Sequence, residues 1–192
     1  MPELANDLAL SKKIQSVKAS GIRIFDNKVS TIPGIIKLTL GEPDMNTPEH
    51  VKTAAIESIR NNDSHYAPQK GKLELRQAIS NYLKKATGVV YDPETEIVVT
   101  VGATEAINAT LFSITNPGDK VAIPTPVFSL YWPVATLADA DYVLMNTSED
   151  NFKLTPERLE STLKEESNIK AVILNYPVNP TGVEYTESEI RA

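Results

Sequence analysis

Ile97-Val98-Val99-Thr100-Val101-Gly102-Ala103-Thr104-Glu105-Ala106 is the stretch on which the reading of the fold turns. Its first five residues are all β-branched, which suits a strand, and no polar face alternates with the apolar one. Gly102 ends the run, and the segment from Thr104 to Ser113 has helical character. Asn116-Pro117-Gly118-Asp119 is a turn by composition, and Lys120-Val121-Ala122-Ile123-Pro124 is a second apolar strand. Strand, helix and strand in that order, with both strands apolar on two faces, imply a sheet covered by helices on both sides.

The rhythm continues downstream. A helix is expected around Ser129 to Leu137, a strand at Tyr142–Met145, a helix opened by Thr155-Pro156-Glu157 and running to about Glu165, and a strand at Ala171–Asn175. Upstream, Leu8, Ile14 and Val17 suggest a short amphipathic helix before Gly21. Ile35–Leu40 reads as a short strand stopped by Gly41-Glu42-Pro43-Asp44. Thr47 and Pro48 have the chemistry of an N-cap and first helical residue, for a helix to about Asn61. A further helix covers Leu73 to Ala86, with Leu75, Ile79, Tyr82 and Leu83 on one face. At the other end Thr186 and Glu189 form a capping-box pattern, and the sequence stops within that first turn. The chain therefore reads as an α/β domain belonging to a longer protein.

Bulk composition narrows the function. The 192 residues carry a net charge of −6, and no basic run exceeds a pair such as Lys12-Lys13, so a nucleic-acid partner is not expected. Cysteine is absent and only His50 and His65 are present, which leaves no thiolate or His-rich metal site. No apolar run approaches bilayer length and the N-terminus lacks a basic-then-apolar pattern, so no membrane association is expected and the cytoplasm is the default location.

Four segments carry candidate chemistry. Gly102-Ala103-Thr104 lies between a buried strand and a helix, where small residues let a ligand approach and helix amides bind an anion. The Thr104 hydroxyl adds a donor; the same residues also make an ordinary strand-to-helix turn. Asn175-Tyr176-Pro177-Val178-Asn179-Pro180-Thr181-Gly182 follows a strand, at the edge where parallel sheets bind ligands, and a rigid turn there aims Asn179. It reads equally as a plain tight turn. Phe128, after the Lys120–Pro124 strand, can stack on a planar ring or serve as a core aromatic. Tyr66 precedes a Pro/Gly loop and is expected to be exposed.

In this order and at this spacing, Gly41-Glu42-Pro43-Asp44, Tyr66…Gly71…Leu75-Arg76, Gly102-Ala103-Thr104-Glu105-Ala106 and Asn179-Pro180-Thr181-Gly182 resemble the class I/II aminotransferases of the fold-type I pyridoxal-phosphate family. The likeness runs from Ile22 to the end, toward bacterial enzymes described as aromatic or as acting on acetyl-diaminopimelate. It implies the family's large-domain fold, a mostly parallel sheet sandwiched by helices, here truncated. Residues 1–45 would be the N-terminal piece of the small domain and 46–192 an incomplete cofactor-binding domain.

The resemblance also implies roles. Pyridoxal 5'-phosphate would be held at its phosphate by Gly102, Ala103 and Thr104, stacked by Phe128 and hydrogen-bonded at its phenolic oxygen by Asn179. Gly41, with Asn179, would meet the substrate carboxylate. Tyr66 would reach a neighbouring subunit's phosphate, making the enzyme a homodimer that exchanges an amino group between an amino acid and a 2-oxo acid. The family's Schiff-base lysine lies beyond the Asn-Pro-Thr-Gly turn, so no catalytic residue is assigned and the chain by itself is expected to be inactive. Ser161-Thr162-Leu163-Lys164 has a nucleophile-like spacing, but precedes that turn on a helix whose Leu159 and Leu163 would take the buried face. Two other readings are a C–S lyase of the same fold and a non-catalytic remnant. Ile22, Phe25 and Ile32 suit either a pocket for aromatic side chains or ordinary packing. In the family's sheet the first strand is paired by late ones, so Ile97–Val101 would lack its neighbour here while the strands near Val121, Tyr142 and Val172 pair.

Overall fold

The computed structural model describes residues 10–17 and 21–192. In chain order its elements are α1 (Lys12–Ser16), α2 (Gly21–Val29), α3 (Glu49–Arg60), α4 (Leu73–Thr87), α5 (Gly102–Ile114), β1 (Lys120–Thr125), α6 (Tyr131–Leu137), β2 (Asp141–Asn146), α7 (Pro156–Glu165), β3 (Ile169–Val172) and α8 (Glu187–Arg191). They divide into two compact units, one of Ile24–Val101 and one of Gly102–Ala192 with the described residues up to Arg23. Leu8, part of the expected N-terminal helix, lies outside the described residues.

The larger unit is a three-stranded sheet in the order β2-β1-β3, parallel throughout. β1 is the central strand, and this explains its composition. Val121, Ala122 and Ile123 are all fully buried, so both faces of the strand are covered. Val121 and Ile123 point to one face, into Leu111 of α5 and Val134 and Ala135 of α6. Burial of such side chains is worth about 1.5–3 kcal/mol each. The turn before β1 is closed by the Asn116 amide donating to Asp119 Oδ2 at 2.8 Å. Lys120 at the start of β1 pairs with Glu166 just past α7 at 2.7 Å.

α7 starts as its sequence suggests. The Thr155 hydroxyl accepts from the Arg158 amide and Pro156 occupies the first turn. Its Lys164 pairs with Glu160 at 2.8 Å in solvent, so the serine–lysine spacing there carries no site. Leu163 is not on a buried face; it is half exposed, because it borders an open apolar cavity rather than a close-packed neighbour. α8 has the full capping box between Thr186 and Glu189.

Ile24–Val101 is held mainly by helices and side-chain-to-backbone bonds. Arg76 of α4 is buried and donates from Nε to the Gly71 carbonyl at 3.1 Å and from Nη1 to the Pro93 carbonyl. The Ser80 hydroxyl donates to the Tyr91 carbonyl at 2.5 Å. The fully inward positions of α4 are thus Arg76 and Ser80, whereas Leu75 and Tyr82 are exposed.

Several expectations are corrected. Ile97–Val101 forms no strand: Ile97 is buried and the Val99 amide donates to the Lys70 carbonyl at 3.0 Å, but no ladder forms. β-branching prepares a backbone for a sheet, and only a second strand makes one. Ile35–Leu40 likewise runs through bends without a ladder, with Ile36 and Leu38 turned outward. α3 is capped by Pro48 itself and begins at Glu49, because the extended ψ of 144° at Pro48 keeps it out of the helix; Thr47 is not the cap. α5 begins at Gly102, two residues earlier than expected, and α6 at Tyr131, two later. α2 was not anticipated, since Gly21 reads as a helix stop whereas it is the first helical residue.

Two predictions follow from these packings. Gly71 has φ +90°, and a Cβ there would lie 2.7 Å from Val99 Cβ. Gly71→Ala is expected to cost about 1–3 kcal/mol through backbone strain and overpacking, read as a lowered denaturation midpoint; an unchanged midpoint refutes the close approach. The outer edges of β2 and β3 are unpaired among the described residues, and Val101 and Leu38 are over nine-tenths exposed. Residues 1–192 expressed alone should therefore self-associate or melt without cooperativity. A monodisperse monomer with one sharp transition by light scattering and calorimetry would contradict this.

Candidate functional site

The geometry of the site begins with the pairing of β1 and β3. Ala122 lies opposite Val172, and the Ile173 amide extends the pairing by donating to the Ala122 carbonyl at 3.0 Å. Thr125 and Asn175 are each three residues past that matched pair, so the segments that follow them leave the carboxyl edge side by side. A cleft of only about 10 Å³ remains between them, lined by Pro126, Val127, Asn175 and Val178 among others, so the two loops are packed together. In the order β2-β1-β3 the chain leaves β1 toward one side and returns on the other. The β1/β3 junction is therefore the switch point at which open parallel sheets take ligands.

The loop after β3 is rigid by its own bonds. Asn175 Oδ1 accepts from the Asn179 amide at 3.1 Å, the Gly182 amide donates to the Val178 carbonyl at 2.7 Å, and the Val178 amide donates to the Val183 carbonyl at 2.9 Å. Val178 is buried as the plug of the turn, while Asn179 is exposed and its carboxamide is spent on none of the described residues. On the loop after β1, Phe128 is partly exposed and meets Tyr131 edge to face, centroids 6.0 Å apart. Burial pushes the Tyr131 phenol up from its ordinary value.

The third candidate segment is the N-terminus of α5, the helix that the Asn116–Asp119 turn joins to β1. Gly102, at φ +79°, opens the helix, and Ala103 and Thr104 follow in its first turn, exposed. First-turn amides have no intrahelical acceptor, and the helix dipole favours an anion there. The Thr104 hydroxyl makes no hydrogen bond to the described residues.

Gly41 and Tyr66 belong to the other unit. Gly41 sits in the irregular segment before α3, where a Cβ would meet nothing within 4 Å. Tyr66 is completely exposed at the tip of a loop. That loop is closed at its base by an ion pair between Lys72 and Asp63, with the Ser58 hydroxyl 3.1 Å from the same carboxyl oxygen. Hydrogen bonds from Lys72 and Ser58 hold the Asp63 carboxyl below its ordinary value. Among the described residues no group of three or more His, Asp or Glu is arranged to hold a metal ion, and no helix is long and apolar enough to cross a membrane.

Parallel strands with packed helices define the class as α/β, and comparison with known proteins gives the family. The model described as aminotransferase class I and II matches residues 33–192, and the chain belongs to that family. It is 43% identical over 95% of its length to the probable N-acetyl-LL-diaminopimelate aminotransferase of Bacillus subtilis, and 38% identical over 95% to aromatic-amino-acid aminotransferase 2 of Thermococcus litoralis. These matches take in 46% and 47% of the two relatives, so the chain spans about half the length of the curated relatives it matches. Among solved structures, the aspartate aminotransferase of Thermus thermophilus with maleate superposes with a TM-score of 0.87 at 33% identity, over 94% of this chain and 48% of that one. The fold is thus that of the fold-type I aminotransferases.

One feature had no sequence signal strong enough to find it. An apolar cavity of about 450 Å³ opens between α7, the end of β3 and α8, lined by Leu159, Leu163, Val172, Leu174, Tyr176 and Ile190. It contains none of Gly102, Ala103, Thr104, Phe128 or Asn179. Its apolar residues come from three separate segments, and only the fold gathers them. α8 is held at its rim by Lys153, which meets both carboxylate oxygens of Glu189 at 2.7 and 2.8 Å. Lys153 and then Thr186 hold the Glu189 carboxyl down at about 2, against an ordinary 4.5. A carboxylate lowered on folding stabilises above its unfolded value, and that contribution goes as pH falls through the folded one. Glu189 should therefore titrate near 2 by NMR, and Lys153→Met should move its midpoint up toward 4.5. A wild-type midpoint already at 4.5 would show that the bridge does not form.

Proposed function

We propose that residues 1–192 build the cofactor cradle of a pyridoxal-phosphate-dependent aminotransferase, which moves an amino group from an amino acid to a 2-oxo acid. The observation that carries this reading is the pairing of β1 with β3, which brings the Phe128 and Asn179 loops out together at the switch point. The available groups suit the parts of the cofactor in kind. Two first-turn amides and a free hydroxyl at Ala103 and Thr104 suit a phosphate, the exposed aromatic Phe128 suits a pyridine ring, and the unspent carboxamide of Asn179 suits a phenolic oxygen.

When bound, pyridoxal phosphate supplies the electron sink that stabilises negative charge at the substrate's Cα. This chain's residues then have defined tasks. Gly102 lets the backbone turn into α5, and the α5 amides and Thr104 anchor the phosphate. Phe128, backed by Tyr131, fixes the ring plane and excludes water from one face. Asn179, on a turn braced by Asn175, donates to the phenolic oxygen and borders the substrate. Gly41, in the other unit, is read by itself as a position that receives a substrate carboxylate. Tyr66 serves a second copy of the protein, reaching its phosphate, and the active species is a homodimer. Residues 1–45 belong to the small domain and 46–192 to the cofactor domain. No lysine follows Gly182 in these residues, so covalent attachment of the cofactor is not assigned to them and they are expected to show no turnover alone.

The test is cofactor affinity in the full-length protein. Loss of one hydrogen bond to a charged group costs about 1.5–3 kcal/mol, so Thr104→Val should weaken pyridoxal phosphate binding about ten- to a hundred-fold in an absorbance titration. Phe128→Ala should weaken it as well, with a blue or red shift of the bound cofactor's absorption. Unchanged affinity in both variants would remove the cradle from this part of the chain.

A further inference from the structure

The segment from Thr31 to Pro48 contains turns and bends but no helix or strand. No backbone ladder fixes it, so its position depends on side-chain ties. Its principal tie is Asp26 of α2. Asp26 is buried and accepts a hydrogen bond from the Thr39 hydroxyl, and the Lys37 ammonium lies 3.4 Å from the same carboxyl oxygen. Lys37 also donates to Ser30 Oγ at 3.0 Å, and Ser30 is fastened to the Asp26 carbonyl at 2.7 Å. Residues 37 and 39 therefore grip α2, while Ile36 and Leu38 between and before them turn outward. A buried carboxylate is costly unless it is bonded and paired. Two of the partners that offset this cost lie 11 and 13 residues away on the irregular segment. Gly41 follows Thr39 by two residues.

We propose that Asp26 is a positioning residue: it sets the place of Gly41 and so governs how well the substrate carboxylate is received. This rests on the reading of Gly41 as a carboxylate-binding position. The open space around Gly41 makes it a separable probe, since an added Cβ there meets nothing described within 4 Å.

The experiment is steady-state kinetics of the full-length holoenzyme with Asp26→Ala, Asp26→Asn, Thr39→Val and Gly41→Val. Displacement of a binding group costs up to about a hundred-fold, so Asp26→Ala should raise KM for both amino acid and 2-oxo acid by about ten-fold or more. kcat and cofactor affinity should stay near wild type. Asp26→Asn, which keeps an acceptor for Thr39, should recover part of the loss, and Thr39→Val should move KM in the same direction as Asp26→Ala. KM within two-fold of wild type in a folded Asp26→Ala, or KM, kcat and cofactor affinity all worsening together, overturns the proposal. If Asp26→Ala does not fold, Thr39→Val decides by the same criteria. KM raised by Gly41→Val but not by the Asp26 and Thr39 variants overturns Asp26 alone. KM unmoved by Gly41→Val overturns the reading of Gly41 on which the inference stands.

Discussion

β1 must be covered on both faces and paired on both edges, and the larger unit is organised around meeting that demand. Val121, Ala122 and Ile123 have no exposed surface, so a helix layer has to close over the sheet and a strand has to lie on either side. On the face of Val121 and Ile123 the chain meets the first requirement with Leu111 of α5 and Val134 and Ala135 of α6. It meets the second by crossing from β2 over to β3. That crossing places the loops after β1 and β3 next to each other. Packing of a central strand and placement of the candidate ligand edge are thus one arrangement.

The smaller unit is held by a different economy. Where the larger unit satisfies its backbone through a ladder, Ile24–Val101 uses single polar side chains to capture carbonyls and hydroxyls. Arg76 takes the carbonyls of Gly71 and Pro93, Ser80 takes that of Tyr91, and Asp26 takes Thr39. Each such bond locates one segment rather than a whole sheet, so position in this unit is specified point by point. The segments located in this way include those carrying Gly41 and Tyr66.

What could be read in advance follows the same division. β1, β2, α4, α7 and the capping box of α8 were legible because periodicity, capping residues and turn chemistry are local and agree with the tertiary outcome; β3 was legible only in part, since it runs from Ile169 to Val172 where the apolar run Ala171–Asn175 suggested a strand. Ile97–Val101 and Ile35–Leu40 were misread because β-branched or alternating composition records a preference, whereas a strand requires a partner that no local pattern supplies. The ties made by Asp26 and Arg76 were invisible for a related reason: nothing in a lone aspartate or arginine tells which carbonyl or hydroxyl, a dozen residues away, it will meet. The candidate site residues were legible as turn chemistry after strands and at a helix start. The adjacency of the loops carrying Phe128 and Asn179 was not, because it depends on β3 returning to the far side of β1. The apolar cavity beside α8 was hidden because its wall is assembled from three separate stretches.

Tyr66 stands wholly in solvent at the tip of a loop whose base is pinned by Lys72 and Asp63. Its ring contributes nothing to the burial that holds its own chain together, yet the loop beneath it is ordered by an ion pair. Random change at position 66 is therefore nearly invisible to selection for folding. Any constraint on that residue must come from something other than the packing of these 192 residues.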